Sequence, residues 1–342
     1  MALSTRQTGS GAWIWVPFAI AVILIGLYTV YWFLARGFLD EQIDVWIESE
    51  RANGAVIQYS KRELEGFPFR FALTLNDPVY GSPDGQTWRG QKLQLVMQPW
   101  DWFHAIARAP GRSTVSLSHQ DHEEISILLG PKSAGSVRWD QTAVKQISIA
   151  LDEVSLSFAG DPVADLDAFE FHLRPAPGFP EMIQLETHWQ EITLGETPPG
   201  DAAVLGTVLG PSILRAELQE GVPAFNETGD PLAAIRAALN AGGTLNVPQI
   251  MLEWGPASLG AKGEVHRQDG ELKGTAALRI ERADDLRAAL ASQGLLNDDT
   301  RLAIDLLERA SVNGGFFTVS LRGDGVYFLG QKQIDFPLED YL

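Results

Sequence analysis

The chain has 342 residues, a formal net charge of −18 at pH 7, 45% hydrophobic residues and no cysteine. The acidic balance argues against nucleic-acid binding, which relies on clustered lysine and arginine. The lack of cysteine excludes disulfides, thiolate metal sites, iron–sulfur clusters and cysteine nucleophiles. The length is sufficient for a folded body of one large domain or two ordinary ones.

The N-terminal region contains an uncharged apolar run over residues 13–34. As a helix with a rise of ~1.5 Å per residue, this run spans roughly 33 Å, enough to cross a hydrocarbon core of about 30 Å. A cleaved signal peptide is the alternative, but it has a shorter apolar stretch of roughly 7–15 residues and a small-residue cleavage site. We therefore predict that residues 1–36 form a cytoplasmic tail and an uncleaved single-pass membrane anchor.

Aromatic residues mark both ends of the predicted anchor, as is typical of the two membrane interfaces. They are Trp13 and Trp15 at one end and Tyr28, Tyr31 and Trp32 at the other. Basic residues barely distinguish the two sides, so the orientation depends on the short N-terminal tail being the simpler part to keep in the cytoplasm. We expect the protein in a bacterial inner membrane, with residues 37–342 in the periplasm.

The helical pattern continues beyond the apolar run. Residues 37–54 predict an amphipathic helix with Leu39, Ile43 and Ile47 on one face, ended by Asn53-Gly54. Its polar face carries acids, whereas a helix lying in the membrane interface usually carries lysine or arginine there. We therefore predict that this juxtamembrane helix packs on the body.

From residue 55 the hydrophobic period changes from that of a helix to that of a strand. Apolar and polar residues alternate in successive runs, which is typical of an antiparallel sheet with one wet face. Clear examples are residues 69–75, 93–97, 147–151, 154–158, 169–173 and 183–189. Residues 55–195 are thus predicted to form a first β-rich region, followed by a proline- and glycine-rich connection over residues 196–230.

The second region, residues 231–342, combines helices with antiparallel strands. A helix is predicted from Pro231, with Asp230 as N-cap and Gly242 as stop, and two more follow at 284–293 and 298–310. The whole pattern predicts a mainly β (α+β) fold. It consists of an N-terminal transmembrane helix followed by a curved antiparallel β-sheet body with a few covering helices.

Two polar clusters are candidates for chemistry. Residues 119–124 (HQDHEE) contain ligand types for a divalent metal, but adjacent residues of an extended chain point to opposite faces, so we expect a solvated loop. Asp165 and Asp167 have the side chains of a glycosidase pair, although a turn is the simpler interpretation. The sequence contains no nucleophile-elbow, P-loop or dinucleotide-binding motif. We therefore predict no enzymatic activity, no cofactor, no metal and no catalytic residue.

The most distinctive local motif is Gly66-Phe67-Pro68-Phe69-Arg70. Glycine and proline bracket an aromatic residue, and a strand pattern starts at once. This arrangement indicates a tight turn leading into a sheet, with Phe67 and Phe69 expected to anchor it in the core.

Together with several other features, this motif resembles the domain of unknown function 2125 family of alphaproteobacteria. The other features are the anchor ending in Tyr31-Trp32-Phe33, the acidic helix with Trp46, and Trp254-Gly255-Pro256 followed by Asp269-Gly270. The resemblance covers most of the chain and implies no activity, cofactor or catalytic residue. In layout the chain is also similar, more distantly, to AsmA-like envelope proteins, which are implicated in lipid movement and outer-membrane maintenance.

The leading hypothesis is a non-enzymatic envelope protein whose apolar strand faces hold a lipid chain or dock a partner protein. The ordinary alternative for those faces is a closed, filled core. Two other functions remain open at this point. One is an envelope hydrolase acting on glycan or lipid, and the other is a scaffold that recruits partners through a sheet edge or Tyr341-Leu342.

Overall fold

The computed structural model describes residues 12–118, 124–141, 143–228, 231–328 and 330–335. About 50% of the chain is strand and 28% is helix. The predicted mainly β class, with a long apolar helix at the N-terminus and a large antiparallel sheet, is confirmed.

The first helix, α1, runs without interruption from Ala12 to Ala52. The predicted membrane helix and juxtamembrane helix therefore form one element, because Gly37 between them weakens a helix without breaking it. The helix ends as predicted at Asn53-Gly54, where Gly54 has a φ of +94° that favours glycine. Leu39 and Ile43 pack against the buried cluster of the body, which confirms the predicted packing of this helix.

The body contains 22 strands within the described residues, and every pair is antiparallel. The first eleven are β1 (Val56–Gln58), β2 (Lys61–Glu65), β3 (Phe71–Asn76), β4 (Val79–Gly81), β5 (Thr87–Gly90), β6 (Lys92–Gln98), β7 (Asp101–Arg108), β8 (Ser113–Ser118), β9 (Glu124–Leu129), β10 (Ala134–Trp139) and β11 (Val144–Phe158). The others are β12 (Asp161–Ala176), β13 (Phe179–Trp189), β14 (Glu191–Leu194), β15 (Val208–Leu209), β16 (Ser212–Leu218), β17 (Thr244–Trp254), β18 (Ala257–Gln268), β19 (Glu271–Ile280), β20 (Phe317–Arg322), β21 (Gly325–Phe328) and β22 (Gln331–Asp335).

Helices interrupt the second half of the chain. They are α2 (Gly221–Thr228), α3 (Pro231–Asn240), α4 (Ala283–Ser292) and α5 (Asp298–Ser311), with 3₁₀ turns at Gly200–Leu205 and Val312–Gly314. The helix α3 starts at the predicted Pro231. The helix α2 lies inside the connection predicted for residues 196–230, whose interior the sequence pattern left ambiguous.

The strands form two sets that share the long strands β11 and β12. The long sheet runs β2-β3-β6-β7-β10, through the first half of β11 and the second half of β12, to β13-β16-β17-β18-β19-β20-β21-β22. The short sheet runs β1-β4-β5-β8-β9, through the other halves of β11 and β12, to β14 and β15.

The chain crosses repeatedly from one sheet to the other at short corners. Between β3 and β4 the corner contains Asp77 with φ +48°, and within β12 it contains Ala168, also with φ +48°. Left-handed backbone is uncommon for residues other than glycine, and these two residues lie where a strand leaves one sheet for the other. The hairpin of β3-β4 with β5-β6 and the hairpin of β11 with β12 are consequently bent and contribute to both sheets. The hairpins from β18 to β22 lie in the long sheet alone.

One face of the long sheet is predominantly apolar, and the other is mixed. Directly paired residues on neighbouring strands share a face, and the central apolar row is Leu64, Leu73, Leu95, Ala107, Gly135, Ile149 and Phe171. The opposite face carries pairs such as Thr74 with Gln94. The helix α1 covers the apolar face at β3, α2 and α3 cover it at β13 to β17, and α4 and α5 pack on β18 to β20.

The prediction that Phe67 and Phe69 lie in the core is wrong. Their side chains are 48% and 70% exposed, whereas Phe71 is 2% exposed. The backbone N–H of Arg70 donates to the carbonyl of Gly66 at 3.0 Å, which closes a tight turn over these residues. The regular alternation therefore begins at Phe71, two residues later than the sequence pattern indicated.

Candidate functional site: an apolar cavity beneath the N-terminal helix

An apolar cavity of about 330 Å³ lies between α1 and the two sheets. Its lining residues are Ile43, Trp46 and Ile47 of α1; Leu73, Leu75, Leu93 and Leu95 of the long sheet; Ile57, Gln58, Val79, Tyr80 and Trp88 of the short sheet; and Pro78 between β3 and β4. The volume falls within the range of roughly 300–1,000 Å³ that is usual for ligand pockets.

Strand register determines which side chains line the cavity. In the long sheet Leu73 pairs with Leu95 and Leu75 pairs with Leu93, so four leucines form a contiguous patch on one face. In the short sheet Ile57, Tyr80 and Trp88 are aligned in the same way across β1, β4 and β5. The bent hairpins bring these two patches to opposite walls of one cavity.

The cavity has little capacity for acid–base or nucleophilic chemistry. Gln58 and Tyr80 supply the amide and the hydroxyl among its lining residues. The Tyr80 hydroxyl donates to Glu50 Oε2 at 3.4 Å. Burial and the neighbouring Glu50 carboxylate raise the pKa of Tyr80 further above its ordinary value of 10.0, at which the hydroxyl is already protonated at neutral pH. The geometry suits burial of an apolar group.

The roof of the cavity is held by ion pairs. Arg62 on β2 donates from Nη2 to Asp40 Oδ1 at 2.8 Å and to Asp44 Oδ2 at 3.2 Å, and both acids belong to α1. Nearer the end of the helix, Arg51 Nη2 donates to the carbonyl of Ile57 at 2.7 Å. These contacts join α1 to β1 and β2 beside the cavity.

The Arg62–Asp44 contact predicts a pH-dependent contribution to stability. The hydrogen bond from Arg62, aided by its charge and opposed by partial burial, lowers the pKa of Asp44 below its ordinary value of 3.8. Because the folded-state pKa is the lower one, the contribution is complete above pH ~4 and is lost as the pH falls through the folded-state pKa. We expect Asp44→Asn to lower Tm at pH 7, and the difference from wild type to shrink below pH ~4 and to vanish once the pH lies below the folded-state pKa.

Thermal unfolding of the full chain in nonionic detergent, followed by circular dichroism across this pH range, measures the effect. Glu48→Gln is the matched control, since Glu48 is an exposed acid on the same helix. A Tm difference for Asp44→Asn that stays constant with pH would contradict the assigned role of the ion pair.

The apolar end of α1 also contacts the body. Tyr28 donates its hydroxyl to the carbonyl of Pro68, and Tyr31 donates to the carbonyl of Pro99 at 2.6 Å. Trp32 is 3% exposed and stacks on Phe71 with ring centroids 5.3 Å apart. Trp32 therefore faces the body, although the sequence pattern grouped it with the interfacial aromatics. Trp15, from the other group, is 67% exposed.

The motif at residues 66–70 lies beside this end of α1. Phe67 contacts both Trp32 and Phe33, with ring centroids 5.3 and 5.9 Å away. Gly66 has φ +112°, and a Cβ there would lie 2.6 Å from the Arg70 carbonyl oxygen, so the turn requires glycine. An open apolar hollow of about 390 Å³ is found on the same part of α1, lined by Tyr31, Leu34, Ala35, Phe38 and Trp102.

The apolar face continues from the cavity along the long sheet. Beyond the cavity, Ala107 and Gly135 are half-buried rather than buried, and Ile149 is 36% exposed. At the far end a smaller apolar space of about 50 Å³ lies under α2 and α3, where Leu185 and Leu245 are among the lining residues. The face between the two helical covers is therefore partly accessible.

The predicted polar clusters are not part of the cavity. Asp165 and Asp167 are exposed residues of β12, on the segment that pairs with β14. Residues 119–123, Asp230 and Tyr341-Leu342 lie outside the described residues. Across the described ranges, no group of three or more histidine, aspartate and glutamate side chains has the geometry to hold a metal ion.

These features define the protein class as mainly β, with an apolar cavity under a long N-terminal helix. Within the described residues, α1 is the one helix that is long and apolar enough to cross a membrane. A family model described as "Uncharacterized protein conserved in bacteria (DUF2125)" matches residues 32–330. The chain belongs to this family, as the resemblance predicted. No curated protein and no solved structure matches the chain, and the similarity to AsmA-like envelope proteins stays a prediction.

Proposed function

We propose that this chain is a single-pass protein of the bacterial inner membrane that binds lipid acyl chains with a periplasmic body, residues 37–342. The observation that carries the proposal is the apolar cavity of about 330 Å³, whose roof belongs to the same helix as the apolar run. In this proposal the protein acts by binding, without catalysis and without a cofactor.

The energetics of burial support an acyl chain as the ligand. Each methylene group removed from water contributes about 0.8 kcal/mol, so eight methylenes contribute ~6 kcal/mol before the cost of association. The lining offers no charged partner for a headgroup, which leaves a polar headgroup at the cavity mouth. Trp46 lines the cavity and is 52% exposed, so this mouth lies beside an aromatic side chain.

The half-buried apolar face of the long sheet supports a binding surface longer than the cavity alone. A chain that extends beyond the cavity meets the row that continues through Ala107, Gly135 and Ile149. Along the sheet from α1, the same face is next covered at α2 and α3. This continuity favours a long flexible apolar ligand over a compact one.

Photo-crosslinking with a phospholipid that carries a diazirine in its acyl chain tests the proposal. The full chain is reconstituted in vesicles containing this lipid, irradiated, and mapped by peptide mass spectrometry. We expect adducts in the apolar part of α1 and also in β5 and β6, which line the cavity. Adducts in α1 alone would mean that α1 contacts the bilayer and that the cavity binds no lipid.

A matched pair of variants distinguishes cavity binding from general contact with the membrane. Leu75→Trp/Leu93→Trp adds bulk from two paired strands inside the cavity, whereas Gln94→Trp adds it on the opposite face of β6. Exclusion of three methylenes costs about 2.4 kcal/mol, which corresponds to about fiftyfold weaker binding. The double variant is expected to lose the β5 and β6 adducts, and Gln94→Trp is expected to keep them.

A further inference from the structure

We propose that the body sits in the interfacial layer of the membrane through an aromatic rim, defined as Phe67, Phe69 and Trp100. This inference rests on the proposed function, because it takes α1 as the membrane-spanning helix. The surface it assigns is a contact with lipid headgroups and the outer ends of acyl chains, made by turns of the β body.

The rim residues are large aromatic side chains exposed on two turns. Their exposed fractions are 48% for Phe67, 70% for Phe69 and 61% for Trp100. The turns themselves are firmly held, since Pro99 is fully buried and the Phe67 ring lies against Trp32 and Phe33. Aromatic residues fixed in outward positions are suited to the membrane interface, where Trp and Tyr are enriched.

The length of α1 determines the level of these turns. Contact with the body begins at Tyr28 and Tyr31, which bind the carbonyls of Pro68 and Pro99. The helical residues before Tyr28, 12–27, extend only about 24 Å at ~1.5 Å per residue. A hydrocarbon core of about 30 Å needs roughly four residues more, so the first contacts with the body fall at the outer edge of that core.

Moving or tilting the helix does not remove this overlap. Residues 7–11 have the sequence QTGSG and follow Arg6. These residues are polar or glycine, so they do not lengthen the apolar span toward the N-terminus. A tilted helix needs more residues to cross the same thickness. The two turns are therefore in the interfacial layer whenever α1 spans the bilayer.

Polar groups at this level are arranged for a site with little water. The carbonyls of Pro68 and Pro99 accept hydrogen bonds from tyrosine hydroxyls of α1, and proline has no backbone N–H to satisfy. Unsatisfied backbone groups are costly in lipid, so these pairings suit an interfacial position. Asp101, next to Trp100, pairs with Arg138 Nη1 at 3.3 Å.

A basic residue completes the rim. Arg70 follows Phe69 and is exposed, in a chain whose overall charge is −18. A long basic side chain beside aromatic residues can extend its guanidinium to lipid phosphates while its stem stays in apolar surroundings. The aromatic rim thus has one cation, the Arg70 guanidinium, beside it at the level of the lipid headgroups.

The absence of cysteine makes a direct test simple. Single-cysteine variants Phe69→Cys and Trp100→Cys of the full chain are labelled with the fluorophore NBD and reconstituted in vesicles of phosphatidylethanolamine and phosphatidylglycerol. Leu24→Cys in the span and Leu302→Cys on α5 are matched controls, since both side chains are 59% exposed. We expect blue-shifted emission and quenching by shallow doxyl-lipids at positions 69 and 100, as opposed to water-like emission at position 302.

The controls separate failure of the rim from failure of the anchor. If the label at position 24 is quenched by deep doxyl-lipids while those at 69 and 100 match position 302, the rim proposal is overturned and the anchor stands. If the label at position 24 also reports water, α1 does not span the bilayer and both proposals fall. Labels at 69 and 100 that neither lipid-borne nor aqueous quenchers reach would indicate a covering protein surface, which also overturns the rim.

Discussion

Replacing Phe71 with alanine is expected to lower the free energy of unfolding by about 3–5 kcal/mol, the usual cost of removing a buried phenylalanine. Phe71 is 2% exposed and packs between Trp32 of α1 and Trp102 of β7, with ring centroids 5.3 and 5.7 Å away. Its removal leaves a void where the apolar helix meets the long sheet. Urea denaturation of the full chain in nonionic detergent, followed by circular dichroism, measures the change.

Phe69→Ala is the matched control for this prediction. Phe69 is the same residue type two positions earlier, and it is 70% exposed. Exposed substitutions usually change stability by less than about 0.5 kcal/mol, so this variant should unfold like wild type. Equal losses from the two variants would restore the expectation that Phe69 lies in the core, and would contradict the start of β3 at Phe71.

Replacing Leu239 with alanine is expected to cost about 2–5 kcal/mol, because the leucine is fully buried. It lies on α3 against Val265 and Leu272 of the long sheet. Leu232→Ala on the same helix is the control, since Leu232 is 46% exposed and should lose much less. The same denaturation measurement applies. A loss of less than ~1 kcal/mol for Leu239→Ala would mean that α3 is not docked on the sheet.

The two core variants also test whether the predicted β-rich regions unfold together. Strand β13 of the first region pairs with β16, and β16 pairs with β17 of the second, so hydrogen bonds bridge the intervening connection. We therefore expect one transition that shifts in both Phe71→Ala and Leu239→Ala. Two transitions, each shifted by only one of the variants, would show two independent folding units.

Alternation and capping residues predicted much of the local structure. The predicted strand over residues 93–97 lies within β6, and α5 begins at the predicted Asp298. Both elements carry strong local patterns: alternation in the first, and Asn297 capping Thr300 in the second. Where glycine and proline interrupt the pattern, as before α2, alternation and capping predict no element.

The cavity could be predicted only in part. The pairs of leucines in β3 and β6 have visible alternation, so their apolar face was expected. Trp88 and Ile57 come from strands of four and three residues, too short for a period to emerge. Their position opposite the leucines depends on corners such as the one at Asp77. The backbone of Asp77 is left-handed, and the alternation of apolar and polar residues cannot indicate this.

The motif at residues 66–70 illustrates a different limit. Phe67, Phe69 and Phe71 share one parity, so alternation alone assigns all three to the same buried face. The turn closed by Gly66 and Arg70 interrupts the strand alternation, so Phe67 and Phe69 are exposed. A hydrophobic pattern therefore identified a sheet correctly and placed its first residue two positions too early.

In the proposed membrane-spanning arrangement, the unbroken course of α1 couples the orientation of the body to the thickness of the bilayer. A spanning helix tilts when the surrounding hydrocarbon is thin and stands straighter when it is thick. No hinge separates the apolar half of α1 from the half that Arg62 and Arg51 hold to the strands. The body must then tilt together with the helix, so a change in local membrane thickness changes the angle between the body and the membrane plane.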